Sequence, residues 1–306
     1  MPRQALMESG SLLPADERTE DVVLGFTIPE RSGRGRVARL GDTLGVILSA
    51  HDYPPRLARL LGEALVLTTL IGSALKGDEG QTTIQARAEG GPVDLLVCDY
   101  RAGELRGYLR IANADTPLGE DADLSEIFGK GYLAVTIDRA EGKERYQGIV
   151  ELTGASLSEA AQRYFESSEQ IPTLLRADVR LGPDGWHAGG LLLQLLGRQE
   201  EGGERLHVRE DREDWAHLEA LGATVTANEL SDAELPLTTL LWRLFNEDEV
   251  RIIPAVPLSR GCRCSAAMIE DRLSTLGDDQ KAELREDDGL VRVDCEFCSR
   301  QFAVSI

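Results

Sequence analysis

The chain has 306 residues, 53 acidic against 33 basic, and a formal net charge of −20. At about 150 residues per domain, this is enough for two domains and at least one sizeable core. Such an acidic balance speaks against a nucleic-acid partner and an anionic membrane surface, both of which call for a basic face, and no run of Lys or Arg supplies one locally.

No run of 18 apolar residues predicts a transmembrane helix; the nearest candidate, 57–75, is broken by Arg59, Gly62, Glu63 and Gly72. Residues 1–20 carry Glu8, Asp16, Glu17 and Glu20 without an apolar stretch, so they read as a flexible polar tail and not as a secretory signal. The expected compartment is the cytoplasm, where thiols stay reduced.

Residues 22–28 and 36–40 read as strands around a Gly/Arg/Ser loop at 30–35. Asp42 is expected to cap a helix to about 51. Pro54-Pro55 opens a longer helix to about 76, with Leu57, Leu60, Leu61, Ala64, Leu65, Thr68 and Ile71 facing the core and Lys76-Gly77 as its stop. Strands at 82–88 and 93–100 flank the turn Glu89-Gly90-Gly91-Pro92, and strands at 105–112, 133–138 and 146–152 follow. Ser156 begins a helix to about 168; 174–181 and 186–196 close the block, as two strands or as a strand and a helix. Runs of strands followed by helices make the class α+β, a strand-rich N-terminal core domain over 21–197.

Composition shifts after Gly197. Residues 198–250 hold 14 acidic and 5 basic side chains, a net of −9, and read as a charged helical linker containing Gly202-Gly203. One helix is predicted over 212–222 with Trp215, Leu218 and Leu221. Another is predicted over 235–245, with Leu237, Leu240, Leu241, Leu244 and Phe245 on an apolar face that needs a cover. Residues 251–306 form a small C-terminal domain: Ser265 caps a helix with Ile269, Leu273 and Leu276, Asp278 caps a second, and 290–294 with 301–304 make a β-hairpin.

That last segment holds four of the five cysteines, Cys262, Cys264, Cys295 and Cys298, as C-x-C, thirty residues, then C-x-x-C. Two close pairs from separate loops suit a tetrahedral zinc ion, one per chain. Fewer than 60 residues make a weak core, whereas zinc on cysteines contributes about 10–16 kcal/mol, as much as the stability of a whole domain. Zinc-bound sulfurs are deprotonated and open to peroxide, and each has a second sulfur nearby to resolve a sulfenic acid. A disulfide across one intervening residue is expected to be strained and reducible. Spacing alone leaves both an inert zinc knot and a redox switch. Cys98 reads as a buried core thiol and His51 as structural. His51, His187, His207 and His217 share no metal spacing, and no H-E-x-x-H, G-x-S-x-G or P-loop pattern marks an enzyme.

The run Cys262-Arg263-Cys264-Ser265, followed by Val291-Arg292-Val293-Asp294-Cys295-Glu296-Phe297-Cys298, resembles the signature of the 33 kDa chaperonins, the redox-regulated heat-shock holdases. Further matches are His51-Asp52-Tyr53-Pro54, Leu61-Gly62-Glu63-Ala64, Gly148-Ile149-Val150, Ser168-Glu169-Gln170 with Thr173, and Gly189-Gly190-Leu191-Leu192-Leu193-Gln194. The resemblance spans nearly everything after Asp21. It implies a zinc-bound, inactive reduced form. Oxidation forms Cys262–Cys264 and Cys295–Cys298 disulfides, releases zinc and unfolds the C-terminal domain and linker. The active form, a homodimer, holds unfolded client proteins without ATP; the face of Leu237, Leu240, Leu241, Leu244 and Phe245 is the expected client-binding surface. Ser299 stands where a glycine is common, Phe302 where a tyrosine is common, and Gly197 where a proline often follows. The other readings are a constitutive zinc-knot adaptor and a thiol–disulfide oxidoreductase; the latter usually carries C-x-x-C at a helix N-terminus in a βαβ setting, absent here.

Overall fold

A computed structural model describes residues 19–74, 80–119, 121–138, 145–196 and 208–305, with 208–211 as backbone alone. Residues 1–18 of the expected tail, the stop at Lys76-Gly77, and Gly197 with the Gly202-Gly203 stretch of the linker lie outside them.

The architecture is α+β. Strands β1 (Val22–Ile28), β2 (Gly33–Leu40), β8 (Thr173–Gly182), β9 (Gly185–Leu195) and β10 (Arg251–Pro257) form one sheet in the order β10-β1-β2-β9-β8. Strands β3 (Gln81–Gly90), β4 (Val93–Arg101), β5 (Glu104–Ile111), β6 (Gly129–Asp138), β7 (Arg145–Glu151) and the two-residue β11 (Ser259–Arg260) form a second, ordered β11-β5-β4-β3-β6-β7. Helix α2 (Pro55–Gly72) packs against strands of both sheets. The seven positions expected to face the core are buried, and so are Ala58, Val66, Leu67, Thr69 and Leu70, because apolar neighbours surround this helix except along the stripe of Arg56, Arg59 and Glu63.

Local chemistry explains where the expectations shift. Helix α1 (Asp42–Leu48) begins with Asp42 inside its first turn; the carboxylate of Asp21 does the capping from a distance, accepting from the main-chain N–H of Gly41 (3.1 Å) and Thr43 (3.2 Å). The loop at 30–35 is shorter than expected: one 3-10 turn at Pro29–Arg31 is closed by Ser32 in the left-handed region, and β2 starts at Gly33. Ser156 caps α4 (Leu157–Tyr164) by accepting from Glu159 N–H, and a π turn carries the coil to Glu169. Both 173–182 and 185–195 are strands. The short α3 (Leu124–Phe128) is an element not anticipated, held by a reciprocal capping box between Asp123 and Glu126.

Beyond β9 come α5 (Val208–Gly222), α6 (Ala227–Ser231) and α7 (Leu237–Phe245), and among them α6 was not anticipated. They lie on the face of the five-stranded sheet opposite α2. There Leu218, Leu230, Leu237, Leu240, Leu241, Leu244 and Phe245 share a second core with Leu24, Phe26, Val37, Leu191 and Leu193. The chain then returns to both sheets: β10 pairs with β1 and β11 with β5. Residues 251–260, read from sequence as the start of the cysteine domain, thus sit in the N-terminal sheets. The remainder is a small lobe of α8 (Ala266–Ser274), α9 (Asp278–Leu284) and the hairpin β12 (Val291–Asp294) and β13 (Gln301–Val304). Ser265 caps α8, and Gly277, not Asp278, occupies the cap position of α9. Among the described residues no helix is long and apolar enough to cross a membrane.

A polar strap fastens the chain entering β1 to β9. Nδ1 of His187 meets Glu20 at 2.5 Å and Nε2 meets Asp184 at 3.1 Å. Burial opposes the imidazolium, yet the bonds to Glu20 and Asp184 outweigh it and raise the pKa above the ordinary histidine value. Arg180 and Arg39 face the same carboxylates. A raised pKa means the strap's contribution is complete below about pH 6.5 and lost as pH rises through the folded-state value. Urea midpoints measured across that range should fall on the alkaline side in the native chain, and His187→Gln should flatten that fall; an equal slope in both proteins would contradict the assignment.

Candidate metal centre

Cys262 and Cys264 follow β11, where Gly261 N–H donates to Leu105 O at 2.7 Å and so fixes the first pair to the six-stranded sheet. Cys295 and Cys298 occupy the bend between β12 and β13. Cys295 N–H donates to Arg300 O, and Cys298 and Ser299 N–H both donate to Cys295 O, which closes a tight knuckle. Ser299 has φ +52°, so a glycine would fit here without steric cost. Its hydroxyl donates instead to Ala50 O at 2.6 Å, a bond glycine could not make.

The four sulfurs converge. Sγ–Sγ distances are 3.3 Å for Cys262–Cys264, 3.6 Å for Cys262–Cys295 and 3.4 Å for Cys264–Cys298, and all four lie within 4.8 Å of one another as free thiols. A tetrahedral ion with bonds of about 2.3 Å needs sulfurs about 3.8 Å apart, so the cage fits a metal ion. Its electrostatics agree. Burial and the neighbouring thiols push Cys264 far up, and burial pushes Cys295 up. At Cys298 burial is outweighed by the N–H of Arg300 and by bonds from the other thiols, and its pKa falls to about 7. Four crowded sulfurs cannot all ionise unaided, and a dication is what lets them do so.

The lobe around this cage has almost no core. Between residues 262 and 305 only Val291 and Val304 are buried, and they face each other across the hairpin. Ile269, Leu273 and Leu276, expected to pack, are only half-buried.

Docking contacts come from distant parts of the chain. The Phe297 ring meets Tyr108 edge-on at 4.9 Å and lies 4.1 Å from the Arg106 guanidinium carbon. Nε2 of His51 donates to Glu296 O at 2.7 Å, which fixes the proton on that nitrogen. Arg263 donates to Gln81 at 2.8 Å. His51 is thus structural in a particular sense, as a clasp on the cysteine knuckle, and Gln81, Arg106 and Tyr108 join it without any sequence motif that announces them. Cys98 is buried on β4, where burial pushes its thiol well up, outside the cluster.

Leu237, Leu240, Leu241, Leu244 and Phe245 are buried against the five-stranded sheet, with Phe245 and Phe26 5.8 Å apart ring to ring. Trp242, on the opposite side of α7, is exposed. The cover of this face is therefore the N-terminal core rather than the cysteine lobe.

Comparison with known proteins adds the following. The sequence model of the family described as Hsp33 protein matches residues 21–305. A 33 kDa chaperonin of Caulobacter vibrioides is 39% identical over 290 residues, 92% of this chain and 93% of that one. A 33 kDa chaperonin of Yersinia pestis is 38% identical over 272 residues, 88% and 87% of the two chains. The solved 33 kDa chaperonin (heat shock protein 33 homolog) of Thermotoga maritima has a TM-score of 0.78 over 94% of this chain and 95% of that one, at 21% identity, a likeness of fold.

Phe297→Ala removes the ring that meets Arg106 and Tyr108. A cation–π contact and an aromatic pair contribute about 0.5–1.5 kcal/mol each, so docking of the lobe should weaken by about 1–3 kcal/mol. Amide exchange over 262–305 should rise several-fold while α2 stays protected. Unchanged exchange would show that the ring does not hold the lobe.

Proposed function

The chain belongs to the Hsp33 family, and we propose that it is a redox-regulated, ATP-independent holdase whose switch is the four-cysteine lobe. Chaperone function follows from the family, and the relatives carry chaperonin names. The observation that carries the redox reading is a lobe with two buried apolar side chains and four sulfurs joining its two ends. Zinc, when bound by Cys262, Cys264, Cys295 and Cys298, would hold all four as thiolates and cross-link those ends.

Peroxide takes the cross-link away. A thiolate attacks the peroxide oxygen, giving a sulfenic acid and hydroxide; the neighbouring thiolate then attacks that sulfur and expels a second hydroxide. Each pair has lost two electrons and gained one disulfide, Cys262–Cys264 or Cys295–Cys298. Sulfurs paired this way are no longer ligands, and nothing then ties 262–264 to 295–298. The lobe unfolds, β11 and β10 fray after it, and the linker loses the anchor at its C-terminal end. Leaving the sheet, α7 exposes Leu237, Leu240, Leu241, Leu244 and Phe245 together with the apolar surface beneath, and unfolded clients bind there. The acidic linker keeps the opened form soluble.

In this reading 21–197 is the stable core, 198–250 the releasable cover, β10 and β11 the strands through which release is transmitted, and the chain from 261 the switch. The opened form is a homodimer working in the cytoplasm, with one zinc per chain in the closed form. An oxidoreductase role is disfavoured by the placement of the C-x-x-C pair in a hairpin bend and not at a helix N-terminus.

The test is light scattering from a thermally aggregating client without nucleotide. Peroxide-treated protein should suppress scattering at near-stoichiometric ratio, reduced zinc-loaded protein should not, and reductant with zinc should switch the activity off. Equal protection by both forms would leave the four cysteines as a structural knot and support the constitutive adaptor.

A further inference from the structure

The linker is held to its sheet at one point by a buried charge. Arg39 of β2 is fully buried, and its guanidinium donates from Nε to Leu230 O (3.0 Å), from Nη1 to Leu235 O (2.5 Å) and Thr19 O (3.1 Å), and from Nη2 to Glu229 O (3.1 Å). All four acceptors are main-chain carbonyls, and three belong to α6 and the turn that enters α7. Among the described residues no carboxylate accepts directly from this group. Burial draws its pKa down to about 10, with Glu20 and Asp232 opposing from further away. Arg180 on β8 repeats the pattern at the next carbonyl, donating to Ser231 O from Nε (3.1 Å) and Nη2 (3.0 Å).

The sheet is shaped for this approach. Arg39 is in register with Val22 on β1 and Gly189 on β9. A Cβ on Gly189 would stand 1.9 Å from Leu230 O, so only glycine lets the linker's main chain reach the guanidinium. Val22, Leu24, Val37, Leu191 and Leu193 surround the row on the same face. A charge buried in apolar surroundings is tolerated only while its donors are satisfied. Departure of the linker leaves that charge in the midst of an apolar face with Thr19 O alone of its four acceptors.

Recognition through carbonyls reads no side chain. An unfolded polypeptide offers a carbonyl at every residue and apolar side chains at intervals, which is what the linker offers now. We propose that Arg39 is a client-binding residue: in the opened protein its guanidinium takes main-chain carbonyls of an unfolded polypeptide in place of those of Glu229, Leu230 and Leu235, while the surrounding apolar face takes the client's side chains. The linker is then the occupant that a client replaces. This rests on the holdase reading.

The test uses the full chain, peroxide-oxidised, and reduced carboxymethylated lactalbumin carrying a fluorophore as a permanently unfolded probe, with affinity read by anisotropy. Arg39→Met keeps the apolar stem and removes every donor; it should loosen the linker in the reduced protein, seen as faster exchange over 227–245, and yet weaken probe binding in the oxidised protein by at least about tenfold. Gly189→Ala pushes the linker carbonyl away and spares the guanidinium; it should loosen the linker equally but bind the probe at least as tightly as the native chain. A purely structural Arg39 would make the two variants behave alike, and wild-type affinity in oxidised Arg39→Met overturns the proposal. If Arg39→Met loses protection in β3–β5, Arg39→Lys is read instead: weakened binding supports the proposal and unchanged binding overturns it. Failure of the oxidised native chain to bind the probe would overturn the holdase reading itself.

Discussion

The five-stranded sheet is apolar on both faces, and the rest of the molecule answers to that constraint. Val23, Ala38, Leu40, Ala188 and Leu192 turn toward α2, while Leu24, Phe26, Val37, Leu191 and Leu193 turn the other way. The first face is sealed by helix α2, whose only polar stripe, Arg56, Arg59 and Glu63, lies in its N-terminal half. The second is covered by helices taken from the most acidic stretch of the chain, joined to the core by Arg31 with Asp214 and Asp248 and by the carbonyl bonds of Arg39 and Arg180. Each buried leucine of α7 contributes about 1.5–3 kcal/mol, enough to keep the cover on. In the proposed opened form, the net charge of −9 over 198–250 would keep it soluble.

The cysteine lobe works against a different deficit. With only Val291 and Val304 buried, it draws its order from the sulfur cage and from its docking on Tyr108, Arg106, His51 and Gln81. Lobe and cover are bound to different parts of the core, and β10 and β11 join them in sequence. Strand β10 is a sheet edge containing Pro254 and Pro257, with Ile252, Ile253 and Val256 partly in water. Such a strand holds on one side only and frays readily, which suits the proposed release of α7 after the lobe.

Sequence patterns made part of this legible. The four cysteines stood out by spacing, and α2 and α7 by helical periodicity, because each signal is local. The capping boxes Asp123/Glu126 and Thr226/Glu229 were also local signals and could have revealed α3 and α6. Residues 251–260 were not legible as sheet strands: two prolines and proximity to the cysteines hide pairings with β1 and β5 that lie more than 150 residues away in sequence. The same distance hides the clasp on the cysteine knuckle, since nothing in the sequence around Arg106, Tyr108 or His51 refers to Glu296 or Phe297. In the sequence Gly189 stands out only as part of a family-like motif; its physical reason is the carbonyl of Leu230 lying over it.

The proposed switch depends on coupling between lobe and cover, and amide exchange followed by mass spectrometry reads that coupling directly. Peroxide treatment should raise exchange over 262–305, over β10 and over 227–245 together, while α2 and the strands of the six-stranded sheet from β3 to β6 stay protected. If the lobe exchanges freely while 227–245 remains as protected as in the reduced protein, the cover is independent of the cysteines and the account is wrong.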